Sequence, residues 1–238
     1  LAGNSVKSGF HHYIRDKNFK TDTLNISDRF LEFKMPEFDL DEIEDSFAGT
    51  QSPLLEKFLY INSKLREKNV TAILNVPKDT VGKKLWEGRF GRLAGAARRS
   101  NWADHRVYKY GGKEIDRAVH LGIDLASTAN AKVTAANGGR VIMAKAEGIF
   151  GNSVVIDHGF GLASLYSHLS EITVNKGDTV SKGDIIGSTG LTGLAGGDHL
   201  HFSMIVHNVF VNPVEWWDAV WIKNNVTSKI EAVKPMVK

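Results

Sequence analysis

Sixteen of the chain's 23 glycines fall in residues 105–220, and only seven in residues 1–104. In the glycine-rich part, short runs of β-branched, aromatic and aliphatic residues (132–135, 139–144, 153–157, 162–166 and 201–206) are separated by Gly, Asn or Asp. Runs of this length between turn formers are too short for helices and predict an antiparallel β-domain. Asn137-Gly138, between two runs, predicts a type I′ hairpin, and Lys-Gly-Asp at 176–178 and again at 182–184 predicts a turn-rich hairpin over 174–187.

The earlier part reads differently. Loose alternation of Leu24, Ile26, Phe30, Leu31 and Phe33 predicts one or two strands, and Pro36–Asp45 reads as an acidic connector, a solvated loop or frayed helix. Ser52-Pro53 supplies an N-cap and a proline at the first helical position. Leu54, Leu55, Phe58, Leu59, Ile61 and Leu65 follow at helical spacing, so a helix is predicted from Pro53 to Lys68, ended by Asn69. Val70–Val76 then predicts a strand, and the small, basic stretch 88–100 a link. The expected organisation is an N-terminal α+β domain over residues 1–100 and a mainly β, antiparallel domain with a C-terminal tail over residues 101–238.

Charge narrows the partners. Lys and Arg number 30 against 27 Asp and Glu, and the net +3 is spread as +2 over residues 1–104, −2 over 105–220 and +3 over the tail. No basic face emerges, and nucleic-acid binding is disfavoured, the Arg98-Arg99 pair included. No run of eighteen apolar residues is present, so no segment reads as bilayer-spanning. The chain starts at Leu1 rather than Met, and an export signal or membrane anchor can have been removed with a missing N-terminal segment. Cysteine is absent, which excludes disulfides and thiolate chemistry; a transition-metal site here must draw on imidazole and carboxylate.

Three motifs concentrate those groups: His120-Leu-Gly-Ile-Asp124, Tyr166-Ser-His168-Leu-Ser170 and His199-Leu-His201-Phe202. Side chains at i and i+2 or i+4 of a strand leave on one face, so His120 with Asp124, and His199 with His201, can converge on one site. Helical spacing would also align 120 with 124, but Gly122 and the β-branched neighbours favour strand or extended loop. Two imidazoles and one carboxylate are the ligands of a catalytic zinc site that keeps a position open for water.

From Arg117 to Trp217, about two fifths of the chain, the sequence resembles the lysostaphin-type, or LytM-domain, zinc peptidases that cleave peptidoglycan peptides. The resemblance rests on the three motifs together with Ala135-Ala136-x-Gly138-Gly139-x-Val141, Gly151-Asn152-x-Val154-Val155-Ile156-x-His158, Gly187-x-Thr189-Gly190-x-Thr192-Gly193 and Asn212-Pro213. It implies that His120, Asp124 and His201 bind Zn2+ and that His168 and His199 are the two active-site histidines outside the metal's coordination. It implies a peptidoglycan stem-peptide substrate: the D-alanyl–diaminopimelate bond in Gram-negative relatives, glycine bridges in some Gram-positive ones. An exported location, periplasm or cell envelope, follows from that substrate. A carboxypeptidase with the same chemistry and a non-catalytic activator of another hydrolase are the alternatives, and the complete ligand set counts against the second. With no His-Glu-x-x-His motif, His168 and His199 are jointly the candidates for general base and oxyanion donor. The N-terminal region is expected to regulate or position the site, and intramolecular occlusion of the zinc groove by it is a further expectation.

Other residues carry plainer readings. His158 is expected to be structural, His207 peripheral, and His11, His12 and His105 surface residues, although an N-terminal side chain could reach the metal in a latent form. Tyr166 shares strand parity with His168 and either lines the cleft or packs. Gly190, Gly193, Gly196 and Gly197 are expected to shape a loop beside an extended peptide. Trp216, Trp217 and Trp221 are read as a short helix capping the β-domain, with a sugar platform as the alternative.

Overall fold

Why the central strands are apolar at almost every position becomes clear from what covers them: both faces of the main sheet are packed, so there is no solvent face to alternate with. The computed structural model describes residues 17–40 and 43–233; His11, His12 and the Asp41–Glu42 part of the acidic connector lie outside them.

The N-terminal part opens with β1 (Thr21–Asn25), followed by α1 (Asp28–Lys34), α2 (Glu44–Ala48), α3 (Pro53–Tyr60) and α4 (Arg66–Asn75). The β-domain then runs β2 (Ala97–Ser100), β3 (His105–Tyr110), β4 (Lys113–Val119), β5 (Ile123–Ala126), β6 (Lys132–Thr134), β7 (Gly139–Ala146), β8 (Asn152–Gly159) and β9 (Leu162–Leu169). It continues with β10 (Glu171–Ile172), β11 (Thr179–Val180), β12 (Ile185–Ser188), β13 (Leu200–Val206) and β14 (Val209–Val211), and closes with α5 (Ala219–Ile222) and α6 (Ser228–Val233). The main sheet has the order β11-β7-β8-β9-β13-β5-β2, with β14 folded back on the far end of β13. A second sheet is β10-β12-β6; in the third, β1 adds parallel to β3, which pairs with β4. The remaining pairings are antiparallel, as the short glycine-bounded runs predict.

On one face of the main sheet, Ile123, Leu125, Val154, Ile156, Tyr166, Phe202 and Met204 pack with Trp86, Phe90 and Trp216. On the other, Val155, Ala163, Leu165 and Ile205 pack against Phe58, Ile61 and Ile73 of the N-terminal helices. Full burial of a side chain such as Phe58 or Ile73 stabilises by about 1.5–3 kcal/mol, so the helical layer is held by apolar area. The stretch 88–100 is more than a link: Phe90 and Leu93 enter the first core and its end forms β2. Trp216 packs edge-on to Trp86 and Phe90, and Trp217 stacks on Phe202, so the tryptophans cap the domain as a packed group, not as a sugar platform.

Four local expectations are corrected. The second half of the 23–33 alternation is α1, because the Ser27 hydroxyl caps it by accepting from the Phe30 amide. The helix predicted to stop at Asn69 continues to Asn75 through a π-turn at Ile61–Leu65 and replaces the Val70–Val76 strand; Ile73 is buried against the sheet, and tertiary burial overrides β-propensity. Asn69 does not cap: its Oδ1 accepts from the Ile149 amide at 3.0 Å and pins the helix to the 147–149 loop. Neither Asn137 nor Gly138 takes the left-handed backbone that a type I′ turn needs, and β6 pairs with β12 while β7 pairs with β8 and β11. The Asn137 side chain instead clamps Glu87, accepting from its amide and donating to its carbonyl. For the same reason of pairing, 174–187 is no hairpin of its own; its two short strands join different sheets.

Candidate metal centre

Along β13 the side chains alternate: Leu200, Phe202 and Met204 enter the first core, leaving His201, Ser203 and Ile205 on the face towards the N-terminal layer. In β5, Ile123 and Leu125 do the same and put Asp124 on that face, directly across the ladder from His201. His120 sits in the extended segment between β4 and β5, held by backbone hydrogen bonds to Asp104 and Ala103. Gly122 permits this approach, since a Cβ there would lie 2.5 Å from the Phe202 carbonyl.

Three atoms meet. His120 Nε2 lies 3.0 Å from Asp124 Oδ1 and 3.0 Å from His201 Nδ1, and His201 Nδ1 lies 2.9 Å from Asp124 Oδ1. All three residues are buried. His120 Nδ1 is 2.8 Å from the Asn101 carbonyl, which can only accept, so the ring's proton is on Nδ1 and Nε2 presents a lone pair to the carboxylate. Two electron-rich atoms this close in a buried site call for positive charge between them, which is the test a divalent cation passes. The outer atoms are tied back as metal ligands require: His201 Nε2 to Ser203 Oγ at 3.0 Å, and Asp124 Oδ2 to the Arg106 guanidinium at 2.6 Å. Ser100 Oγ adds a 3.1 Å contact to His120 Nδ1.

The other two histidines stand beside this cluster. Their rings are 4.9 Å apart, and the ring of His168 is 5.8 Å from that of His201. His168 has φ +62°, a left-handed backbone that a non-glycine residue rarely adopts, next to a bulge where Val154 pairs with Tyr166 and Asn152 with Leu169. This break shifts the strand's parity: Tyr166 packs in the first core, with its hydroxyl accepting from the Ala136 amide, while His168 turns to the site. The parity expected between them therefore fails at the bulge. His168 Nδ1 donates to the Thr192 carbonyl at 2.8 Å, leaving Nε2 as its open atom. His199 Nδ1 donates to the Gly197 carbonyl at 2.8 Å, and its Nε2 lies 3.5 Å from Asp124 Oδ1.

Electrostatics sort these groups. Burial opposes charge on Asp124, yet the contacts with His120, His199 and His201 outweigh it and hold the carboxyl well below its ordinary range. Burial, reinforced by the neighbouring His199 and His201, keeps His168 neutral with a pKa well below the usual value. Burial also resists charge on His199, but the hydrogen bond and charge of Asp124 win and raise its pKa. His158 belongs elsewhere: fully buried, with Nδ1 on the Gly138 carbonyl and Nε2 on Ser164 Oγ, it is a structural side chain whose pKa burial lowers to about 4. His105 and His207 are exposed.

A groove of about 530 Å³ runs past Asp124, His168 and His199. Leu24, Phe30 and Phe58 of the N-terminal layer form one wall, and the 194–199 loop, with Gly196 and Gly197, forms the other. Of the four loop glycines, Gly190 and Gly193 instead pack against Ser170 and Gly151. The outer contacts from Asn101, Arg106 and Ser203 were not singled out by the sequence motifs, and Thr192, though part of one, acts through its backbone carbonyl; of the three, only Ser203, two residues on from His201 in one strand, carries a readable signal.

Comparison with known proteins matches residues 118–213 to the model of Peptidase family M23. The chain is 41% identical over 98 residues to Peptidoglycan DD-endopeptidase ShyA of Vibrio cholerae serotype O1, covering 41% of this chain and 23% of that protein. It is 38% identical over 96 residues to DD-carboxypeptidase/endopeptidase Mpg of Neisseria meningitidis serogroup B, covering 40% and 22%. The matched segment is thus less than a quarter of these relatives' length. A solved structure of a putative peptidase M23 from Pseudomonas aeruginosa shares the fold, with 24% identity, a TM-score of 0.54, and coverage of 66% of this chain and 62% of that one. His120, Asp124, His168, His199 and His201 all lie within the stretch that matches Peptidase family M23.

Proposed function

We propose that the chain is a zinc-dependent endopeptidase that hydrolyses stem-peptide cross-links of peptidoglycan, with the D-alanyl–diaminopimelate bond as its target. The observation that carries this reading is the meeting of His120 Nε2, His201 Nδ1 and Asp124 Oδ1 at 2.9 to 3.0 Å, with every outer ligand atom tied back and a groove alongside. Nitrogen and oxygen donors without thiolate suit zinc in a catalytic setting, where three protein ligands leave room for water. Bound there, zinc would act as a Lewis acid, bringing the pKa of coordinated water from about 15.7 towards about 7 and polarising the scissile carbonyl.

The chain's own residues divide the rest of the work. Neutral His168, its Nδ1 proton committed to Thr192, accepts a proton from the attacking water at Nε2 and can return it to the leaving amine. His199, its Nδ1 committed to the Gly197 carbonyl, donates from Nε2, when protonated, to the developing oxyanion. Arg106 and Ser203 hold Asp124 and His201 in place. The relatives' names support the substrate class, and cell-wall substrate places the chain outside the cytoplasm; among the described residues no helix is long and apolar enough to cross a membrane.

The name of Mpg keeps carboxypeptidase action as a second reading. Digestion of purified cross-linked and pentapeptide muropeptides, with and without a chelator, tests both. Chelator-sensitive loss of dimers supports the endopeptidase, release of terminal D-alanine alone supports the carboxypeptidase, and intact substrates with zinc-loaded protein refute the proposal.

A further inference from the structure

Among the described residues, the groove beside the metal cluster holds one charged side chain that makes neither a hydrogen bond nor an ion pair. Asp124 and Arg106 pair with each other, Asp22 pairs with Lys20, and Asp198 accepts from Thr189 Oγ1 and from the Asn130 amide. Arg99 lines the same groove, is exposed, and makes no hydrogen bond or ion pair among the described residues. Its aim is built into the sheet. Arg98 pairs with Leu125 and Ser100 with Asp124, so Arg99 is the extra residue of a bulge in β2, a device that redirects a side chain at a sheet edge next to a site. Ser100, which follows it, touches His120, so the backbone of Arg99 is placed one residue from a contact of the cluster. Arginine's planar fork matches a carboxylate with two parallel hydrogen bonds.

We propose that Arg99 binds a free carboxylate of the substrate close to the scissile bond and selects cross-links that carry one. The inference rests on the peptidoglycan reading above and sharpens it. In a D-alanyl–diaminopimelate cross-link the carbon bearing the leaving nitrogen also bears a free carboxylate, whereas a glycine bridge or an amidated cross-link offers none there. Arg99 is thus a specificity-determining residue, distinct from the groups that move protons.

Two synthetic cross-linked peptides, differing only in carboxylate or carboxamide beside the leaving nitrogen, provide the test. Zinc-loaded wild type is expected to cleave the carboxylate peptide with a kcat/KM about tenfold higher, expressed mainly in KM, as suits one charge-assisted pair in an open groove. Arg99→Gln should reduce the carboxylate peptide to the level of the carboxamide, Arg99→Lys should restore part of the preference, and Arg98→Gln, opposite Leu125, should keep it. A wild type that cuts both peptides equally, or an Arg99→Gln variant that keeps the preference, overturns the proposal. If wild type cuts neither peptide, it is the endopeptidase reading that fails; equilibrium binding of the same two peptides to wild type and Arg99→Gln then decides the carboxylate site, with equal affinities refuting it.

Discussion

Replacing Ser203 by alanine removes one oxygen from the far side of a metal ligand and nothing from its near side. With Nδ1 of His201 facing the cluster, the ring's proton lies on Nε2, and Ser203 Oγ at 3.0 Å is its acceptor. Ser203 is 0% exposed and His201 5%, so no solvent takes over when the hydroxyl is gone. An orphaned buried N–H costs about 1–3 kcal/mol, and loss of such outer contacts in metal sites weakens binding by about 10- to 100-fold, which is about 1.4–2.7 kcal/mol. The ring escapes the penalty only by moving its proton to Nδ1, which removes the lone pair the metal needs. Ser203→Ala should therefore bind zinc about 10- to 100-fold more weakly in equilibrium competition with a chromogenic chelator, with thermal melting used to verify folding. A folded variant within twofold of wild-type affinity would refute the assignment of Nδ1 as a ligand atom.

The other predictions concern proton transfer and the scaffold. His168→Ala should keep zinc at wild-type stoichiometry but lose about 10²- to 10⁴-fold in turnover, read by elemental analysis beside the muropeptide digest; retained turnover would remove His168 from proton transfer. His158 titrates at about 4 when folded and near 6.5 when unfolded, so the unfolded chain takes up the proton first and stability falls with pH across that window. The loss amounts to about 3 kcal/mol for this group between pH 6.5 and 4; urea unfolding of wild type and His158→Gln should show a shallower pH slope in the variant. Gly159 has φ +84°, and a Cβ there would overlap the Lys83 carbonyl, so Gly159→Ala should displace the 81–86 segment and lower stability by more than about 1 kcal/mol in the same assay.

What was readable in the sequence was whatever depends on local order. Even spacing placed His201 on one face of β13 and Asp124 on the matching face of β5, and turn formers bounded the strands of the antiparallel domain. What was not readable depended on contacts distant in sequence. The Val70–Val76 segment is rich enough in β-branched residues to suggest a strand, yet burial of Ile73 between layers keeps it helical. Asn137-Gly138 has hairpin chemistry, but β6 finds its partner some fifty residues on, in β12. The left-handed turn at His168 has no local signature such as glycine, so counting alternate residues from Tyr166 assigns the wrong face. Arg106 reaches Asp124 only because β3 and β5 are brought together by the fold.

Zinc stoichiometry decides the central claim. Purified wild type, equilibrated with zinc and freed of excess, should carry one ion per chain by elemental analysis, and His120→Ala, Asp124→Ala and His201→Ala should each carry close to none while remaining folded. A folded wild type that retains no zinc, or a set of folded variants that retain it in full, would contradict the account.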